Sequence, residues 1–170
     1  MTILILGLMC SGKTSIGKAL AKEFHLDFIE MDPLVLSETG MHSVQEVFAL
    51  RPSLWKEAEF AVMQTLSQKA SMVVACSGDV VENDINFQYF HEKNHDLRTL
   101  YLHTSPETIA KRLVASHDRV KLKDEEAIRE NVATLYEKRD ALYRKYANLV
   151  VDTDGQLPAD VVELILKVWN

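Results

Sequence analysis

The sequence predicts an α/β fold built around a parallel sheet. Short apolar runs alternate with longer amphipathic ones along the chain, a pattern typical of strands joined by crossover helices. Each apolar run is bounded by turn or capping residues, as expected of strands buried on both faces. With 170 residues, 47% of them hydrophobic and 26% charged, the chain is predicted to form a single domain over residues 1–170.

Five apolar runs are the predicted strands. They are Thr2–Leu6, Asp27–Met31, Met72–Cys76, Arg98–His103 and Asn148–Asp152. The first predicted helix, Lys13–Phe24, follows the first strand, and its apolar residues recur at fourfold spacing.

Capping residues mark where the later helices begin. Ser43 and Glu46 form a capping-box pattern, and Pro52 stands where a first helical turn tolerates proline. The later helices predicted are a short one after Ser43, Pro52–Ala70, one after Ser105, one from about Asp124 and one from about Pro158 to Trp169. A polar, basic segment at about 117–123 lies between two helices and is predicted to be a mobile loop.

Composition excludes several classes of protein. The formal net charge is −6 and no cluster of Lys and Arg stands out, which argues against a nucleic-acid partner. Cys10 and Cys76 are the two cysteines, too few for a disulfide framework, so we expect a reducing compartment. The apolar start lacks a basic flank, and no apolar run reaches bilayer-spanning length. We therefore expect a cytoplasmic monomer without a membrane partner.

The segment Gly7–Thr14 matches the phosphate-binding pattern G-x-x-x-x-G-K-[ST]. An apolar strand precedes it and an amphipathic helix follows it, which is the context this motif requires. The glycines let backbone N–H groups point at phosphate oxygens, and the helix N-terminus adds partial positive charge. Lys13 is predicted to reach the β- and γ-phosphates of ATP, and the Thr14 hydroxyl to bind Mg²⁺.

The phosphate-binding loop alone does not separate kinases from GTPases or ATPase motors. The chain has no Asn-Lys-x-Asp motif for reading a guanine base. Its small size and the basic segment at 117–123 favour a kinase that acts on a small metabolite.

Over nearly its full length the chain resembles the shikimate kinase family. The resemblance rests on the loop and first helix, an acid pair after the second strand, the helix that follows, and two closing segments. These five segments are 5–18, 28–32, 43–48, 135–143 and 151–154. It implies a P-loop NTPase-type three-layer fold with a five-stranded parallel sheet, flanking helices and a lid at 117–123. It also implies ATP and Mg²⁺ as cofactors and a shikimate-type hydroxyl acceptor.

The resemblance assigns roles to individual residues. Asp32 would hold the acceptor hydroxyl and take its proton, and Glu30 would join Thr14 in organising the Mg²⁺ shell. Arg119 would close over the phosphates as the lid arginine. The predicted nucleotide site comprises Gly7, Cys10, Ser11, Gly12, Lys13, Thr14, Ser15, Arg112, Arg119 and Thr153. The predicted acceptor site comprises Asp32, Lys56, Gly78, Asp79 and Arg139, in which Arg139 grips a carboxylate.

The acid pair Glu30 and Asp32, and Arg139, have support independent of the resemblance. Glu30 and Asp32 stand two apart at a strand end, so both carboxylates can face one site at the carboxyl edge of the sheet; the alternative is a turn that caps the next helix. Arg139 interrupts the apolar stripe of its helix. An inward guanidinium needs an anion, and the alternatives are a surface arginine or a pair with a carboxylate at the core edge.

The acceptor side departs from the family pattern. The glycine run after the third strand is reduced to Ser77-Gly78-Asp79, and Lys56 stands where the family has a second carboxylate-gripping arginine. Both changes are expected to disfavour a carboxylate-bearing acceptor. Two alternatives therefore stay open: a kinase for a polyol, an amino-alcohol or a sugar acid, and a module that senses ATP with little turnover.

Overall fold

A computed structural model describes residues 1–69, 71–116 and 125–169. Its single sheet has five parallel strands in the order β2-β3-β1-β4-β5. The strands are β1 (Thr2–Leu6), β2 (Asp27–Glu30), β3 (Met72–Ala75), β4 (Leu97–His103) and β5 (Leu149–Asp152). All five predicted strands are confirmed, with ends that differ by at most one residue, and the predicted parallel α/β fold is confirmed with them.

Eight α-helices are present in the described ranges. They are α1 (Lys13–Phe24), α2 (Met31–Thr39), α3 (Val44–Leu50), α4 (Pro52–Ser67), α5 (Asp84–Lys93), α6 (Pro106–Ala115), α7 (Glu125–Tyr146) and α8 (Pro158–Trp169). The Ser43 and Ser105 hydroxyls cap α3 and α6 as predicted, by accepting from the backbone N–H groups of Glu46 and Thr108. None of the helices in these ranges is long and apolar enough to cross a bilayer.

The sheet separates two apolar cores. Ile3 and Ile5 of β1 point into the core beneath α1 and α8, while Leu4 and Leu6 point into the core formed with α2 to α7. Successive side chains of a strand point to opposite faces, so a run that is apolar at every position fills both cores. This arrangement gives the three-layer architecture.

Two helices, α2 and α5, were not predicted, and the first of them changes the end of β2. Met31 begins α2 instead of ending β2, so Glu30 and Asp32 do not lie on one strand face as expected. The sequence of α2 has a proline in its first turn and no clear apolar stripe, since only Met31 and Val35 are buried. Helix α5 has ten residues, and its exposed Ile85 obscures the stripe of Phe87 and Phe90.

The end of α4 differs from the prediction, and the predicted mobile loop lies outside the described residues. Helix α4 ends at Ser67, earlier than the predicted Ala70, and Ala70 lies outside the described residues. The segment at 117–123, with the lid arginine Arg119, and Asp124 also lie outside them.

Candidate active site

The loop between β1 and α1 turns on residues that adopt a positive φ. Gly7 has φ 146°, Cys10 59° and Gly12 99°. At Gly7 a Cβ atom would lie 2.7 Å from the Ser11 hydroxyl oxygen and 2.9 Å from the Leu102 carbonyl oxygen. Only glycine fits this position, because any side chain would clash as well as strain the backbone. The positive φ at these three positions gives the loop a tight turn at the carboxyl end of β1.

Polar groups that suit a polyphosphate converge on this loop. The Lys13 ammonium donates to the carbonyl oxygens of Gly7 and Leu8, both at 2.8 Å. The Ser11 hydroxyl is buried and has no hydrogen-bond partner within the described chain. A buried hydroxyl of this kind is normally paired, and a phosphate oxygen would pair with it. The donors present thus fit a nucleoside triphosphate.

Thr14 and Glu30 supply oxygen atoms that suit a small divalent cation. The Thr14 hydroxyl donates to Glu30 Oε1 at 2.6 Å, and both residues line the same cavity. Mg²⁺ in kinases is usually held by one or two protein oxygen ligands together with substrate phosphates and water. Among the described residues, no group of three or more His, Cys, Asp or Glu side chains forms a metal site by itself. The oxygen pair fits a cation delivered with ATP.

One cavity of about 780 Å³ joins the phosphate loop to the predicted acceptor residues. It lies where the strands end, at the carboxyl edge of the parallel sheet, where ligands of such sheets bind. The site residues predicted from the sequence that line it are Cys10, Ser11, Gly12, Lys13, Thr14, Ser15, Glu30, Asp32, Gly78, Asp79, Arg112, Arg139 and Thr153. Gly7 shapes the loop beneath the cavity without lining it.

Arg112 and Thr153, both predicted to bind the nucleotide, line the cavity. Arg112 donates from Nη1 to the carbonyl oxygen of Cys10 at 2.9 Å, which ties α6 to the phosphate loop across 102 residues of sequence. The Thr153 hydroxyl shares a 2.6 Å hydrogen bond with Thr104 and lies 3.1 Å from the carbonyl oxygen of His103. This network fixes the turn after β5 against the end of β4.

Arg139, predicted to bind the acceptor, lines the cavity from α7. Its side chain is only 13% exposed, and its Nε donates to Glu82 Oε1 at 2.8 Å. A Cβ atom built on Gly78 would lie 3.4 Å from Arg139 Nη1, so the glycine retained in the 77–79 segment stands where the guanidinium approaches. Tyr143, one turn further along α7, donates its hydroxyl to the Gly78 carbonyl at 2.5 Å. The inward orientation predicted from the apolar stripe is confirmed, and so is the alternative of a carboxylate partner.

Lys56 is the described acceptor residue that the structure does not bring to the cavity. Its side chain is 55% exposed, and its ammonium lies 3.8 Å from Glu82 Oε2. It faces a separate shallow groove lined with Phe60 and Ile85. The Lys56 ammonium thus lies on the exposed side of Glu82 and does not line the cavity.

Buried ionisable groups lie next to the acceptor end. Burial, followed by the neighbouring charge of Asp79, raises the pKa of Glu59 to about 8, despite a hydrogen bond from Asn86. Burial likewise raises the pKa of the Cys76 thiol to about 12, although Lys13 nearby opposes the shift. Glu59 is therefore mostly protonated at neutral pH, and Cys76 is an unreactive thiol.

Sequence reasoning missed three contributors to this site. Phe48 and Trp55 form an aromatic pair with ring centroids 5.8 Å apart, and both line the acceptor end. Glu82, which holds Arg139, follows the glycine segment in a short 3₁₀ turn. The aromatics could have been singled out by their place beside the predicted acceptor residues. Glu82 gave no signal, because its partners Lys56, Lys138 and Arg139 lie 26, 56 and 57 positions away.

The fold and the loop define an α/β P-loop kinase, and comparisons with known proteins agree. A family model for shikimate kinase matches residues 9–170. The shikimate kinase of Thermodesulfovibrio yellowstonii is 32% identical over 169 residues, covering 99% of this chain and 94% of that protein. The chain therefore belongs to the shikimate kinase family, ATP-dependent phosphotransferases that act on an alcohol group of a small molecule.

Solved structures of the family share the fold. The shikimate kinase of Aquifex aeolicus superposes with a TM-score of 0.78 at 26% identity, covering 99% of this chain and 96% of that one. The shikimate kinase of Acinetobacter baumannii, in complex with shikimate, has a TM-score of 0.85 at 24% identity, covering 99% of this chain and 92% of that one.

Proposed function

We propose that this protein transfers the γ-phosphate of ATP to a hydroxyl of shikimate, which yields shikimate 3-phosphate and ADP. The observation that carries the proposal is one cavity that the phosphate loop, Asp32 and the largely buried Arg139 line together. Membership of the shikimate kinase family supports shikimate as acceptor, and the Acinetobacter baumannii relative binds that compound.

At the nucleotide end, catalysis rests on charge and position. The loop N–H groups and Lys13 hold the β- and γ-phosphates and stabilise the charge that spreads over the transferring group. Thr14, with its hydroxyl oriented by Glu30, would hold Mg²⁺, and the bound cation would supply neutralising charge at the phosphate oxygens. Arg112 and Thr153 border the remainder of the nucleotide, and Arg119, in the predicted lid at 117–123, is assigned to the phosphates.

At the acceptor end, Asp32 orients the reacting hydroxyl and accepts its proton. The hydroxyl oxygen forms a bond to the γ-phosphorus while the bond from that phosphorus to the β–γ bridging oxygen breaks, in line with the attack. Arg139 binds the carboxylate at the opposite side of the acceptor, and the Phe48–Trp55 pair packs against its ring. Remote binding of the carboxylate thus positions the hydroxyl against ATP.

Two features counter the unfavourable charge expected from the 77–79 segment. The raised pKa of Glu59 keeps that carboxyl mostly neutral near pH 7, so Asp79 is not reinforced by a second full negative charge. Gly78 leaves room for the Arg139 guanidinium, which supplies the countercharge that a carboxylate needs. For these reasons, and because the relatives are shikimate kinases, a polyol, amino-alcohol or sugar-acid acceptor and an ATP-sensing role are not favoured.

We further infer that the protein acts in the cytoplasm as a monomer. Both cysteines are free thiols, which suits a reducing compartment. Size-exclusion chromatography with light scattering tests the monomer directly, and a mass near twice that of the chain would contradict it.

The deciding experiment measures ADP release with MgATP and shikimate, with Lys13→Ala as the blank. Formation of shikimate 3-phosphate is followed by ³¹P NMR in the same samples. Turnover well above the blank, with product in equal amount to ADP, supports the proposal. ATP binding without any shikimate-dependent ADP release would contradict it, and would direct attention to other hydroxyl acceptors.

A further inference from the structure

The carboxylate of Glu82 lies behind Arg139 and collects three cations. Its Oε1 accepts from Arg139 Nε at 2.8 Å, and its Oε2 lies 2.6 Å from Lys138 Nζ and 3.8 Å from Lys56 Nζ. The side chain of Glu82 is only 10% exposed. Although burial acts to raise the pKa of Glu82, hydrogen bonds from Lys138 and Arg139 hold it below the usual value. The group is therefore ionised over the whole neutral range.

The contact with Glu82 uses one defined edge of the guanidinium. Arginine presents its donors in a rigid planar fork, so fixing Nε fixes the plane and the direction of both terminal nitrogens. Here the Nε side meets Glu82, while Nη1 lies towards Gly78 and the cavity. Because Arg139 lines the cavity, a fixed guanidinium plane also fixes the direction from which it can bind a carboxylate there.

The same carboxylate also lies near Lys56. The Lys56 ammonium approaches Glu82 from the exposed side and does not reach the cavity. Among the described residues that were predicted to bind the acceptor, Arg139 is thus the one cation that lines the cavity. With one arginine at the site, paired hydrogen bonds to a carboxylate depend on the orientation of that guanidinium.

We propose that Glu82 is the positioning residue for Arg139, holding the guanidinium plane so that its terminal nitrogens bind the acceptor carboxylate. Glu82 acts through Arg139 and does not itself touch the acceptor. The inference rests on the proposed function, since it takes shikimate as the carboxylate-bearing acceptor.

The test is a double-mutant cycle on the full-length protein with shikimate and MgATP. Glu82→Gln keeps the shape of the side chain but removes its charge, so the Arg139 plane loses its main restraint. We expect the KM for shikimate to rise on the order of tenfold, as for loss of a charge-assisted hydrogen bond, with little change in the KM for ATP. In an Arg139→Ala background, Glu82→Gln should change shikimate KM by less than about twofold.

A matched control separates positioning from general stability. Asp84→Asn removes another carboxylate that reaches α7, through Lys145 and Tyr146, on the exposed surface. This variant should leave both KM values unchanged. Thermal unfolding of all variants shows whether each is folded, and Glu82→Asp, which keeps the charge on a shorter arm, should recover part of the lost affinity.

Three outcomes would overturn the inference. If the wild-type protein turns over shikimate and Glu82→Gln raises the KM equally with and without Arg139, Glu82 has only a structural role and the inference is overturned. An unchanged KM in Glu82→Gln overturns it too. If the wild-type protein does not turn over shikimate, the proposed function and this inference both fail. If it does turn over shikimate, a failed mutant test overturns this inference alone.

Discussion

Thr14 and Glu30 are joined by a 2.6 Å hydrogen bond between a hydroxyl on α1 and a carboxylate at the end of β2. The bond fixes which way the threonine oxygen lone pairs point, because its proton is directed at the carboxylate. A metal ligand oriented by a second residue binds more tightly than a free one. The pair therefore links the phosphate loop to the end of β2 at the place proposed for Mg²⁺.

We expect Glu30→Gln to lower the affinity for Mg²⁺ and to leave the KM for shikimate unchanged. Loss of an orienting partner typically costs on the order of tenfold in metal affinity, so the Mg²⁺ concentration giving half-maximal rate should rise by about that factor. The measurement is the initial rate at fixed ATP over a Mg²⁺ series. Thr65→Val removes an exposed threonine hydroxyl on α4 and should leave the Mg²⁺ curve unchanged; an equal shift in both variants would contradict the assignment.

Lys13→Ala is expected to abolish phosphoryl transfer while the fold remains intact. The ammonium lies over the phosphate loop, and removing one such stabilising group commonly lowers kcat by about 10²–10³-fold. Rates are followed by ADP release, and the fold by circular dichroism and thermal unfolding. Lys18→Ala, on the same helix but beside the Phe28 ring, is the matched control, and retained turnover in Lys13→Ala would overturn the assignment of the active site.

Gly7→Ala should disrupt the loop far more than a similar change elsewhere. An alanine Cβ at Gly7 would meet the Ser11 hydroxyl at 2.7 Å and the Leu102 carbonyl at 2.9 Å, so we expect a loss of about 1–3 kcal/mol of stability together with loss of ATP binding. Gly40 also has a positive φ but no atom within 4 Å of the Cβ position. Gly40→Ala should therefore cost only the backbone strain, about 1–2 kcal/mol, with ATP affinity unchanged in isothermal titration.

Part of this architecture could be predicted from the sequence for physical reasons. Strands buried on both faces leave apolar runs, so β1 to β5 were found within one residue of their ends. The phosphate loop is a local feature in which the chain itself builds the site, and Arg139 was placed inward because it interrupts an apolar stripe. Local signals of this kind survive without knowledge of the tertiary structure.

The remainder depends on contacts between distant parts of the chain. The helix that begins at Met31 ends β2 early and places Asp32 in a helical turn, although the local residues were consistent with a strand. The ion pair of Lys56 is with Glu82, which lies 26 residues further along and follows a different strand. Side-chain pairing across elements leaves no periodic pattern, so it could not be predicted.

Arg139→Ala is expected to affect the acceptor and not the nucleotide. The guanidinium lines the acceptor end of the cavity while the phosphate loop lies opposite. Removing a group that binds a carboxylate by charge-assisted hydrogen bonds should raise the KM for shikimate by about tenfold or more. Initial rates are measured with each substrate varied in turn. An equal rise in the KM for ATP would place Arg139 in the nucleotide site instead, and Arg144→Ala, an exposed arginine on α7 paired with Asp140, serves as control.

Glu59 should make the stability of the protein fall as the pH rises. Its folded-state pKa of about 8 lies above the ordinary value of 4.5, so between these values the folded protein binds more protons than the unfolded chain. The free energy of unfolding then decreases by up to about 1.4 kcal/mol per pH unit, and the loss is complete above pH 8. The stabilisation is fully present below pH 4.5.

Glu59→Gln removes this titration and can still accept the hydrogen bond that Asn86 donates to Glu59 at 3.2 Å. Urea unfolding of both proteins at several values from pH 5 to pH 8.5 should therefore show a stability difference that grows in favour of the glutamine variant and levels off near pH 8. Glu163→Gln is the control, because the ion pair with Lys167 holds the pKa of that exposed carboxyl below its usual value, outside this window. A constant difference between wild type and Glu59→Gln across the range would mean that Glu59 is ionised in the folded protein, and Asp79 would then face a second negative charge beside the acceptor.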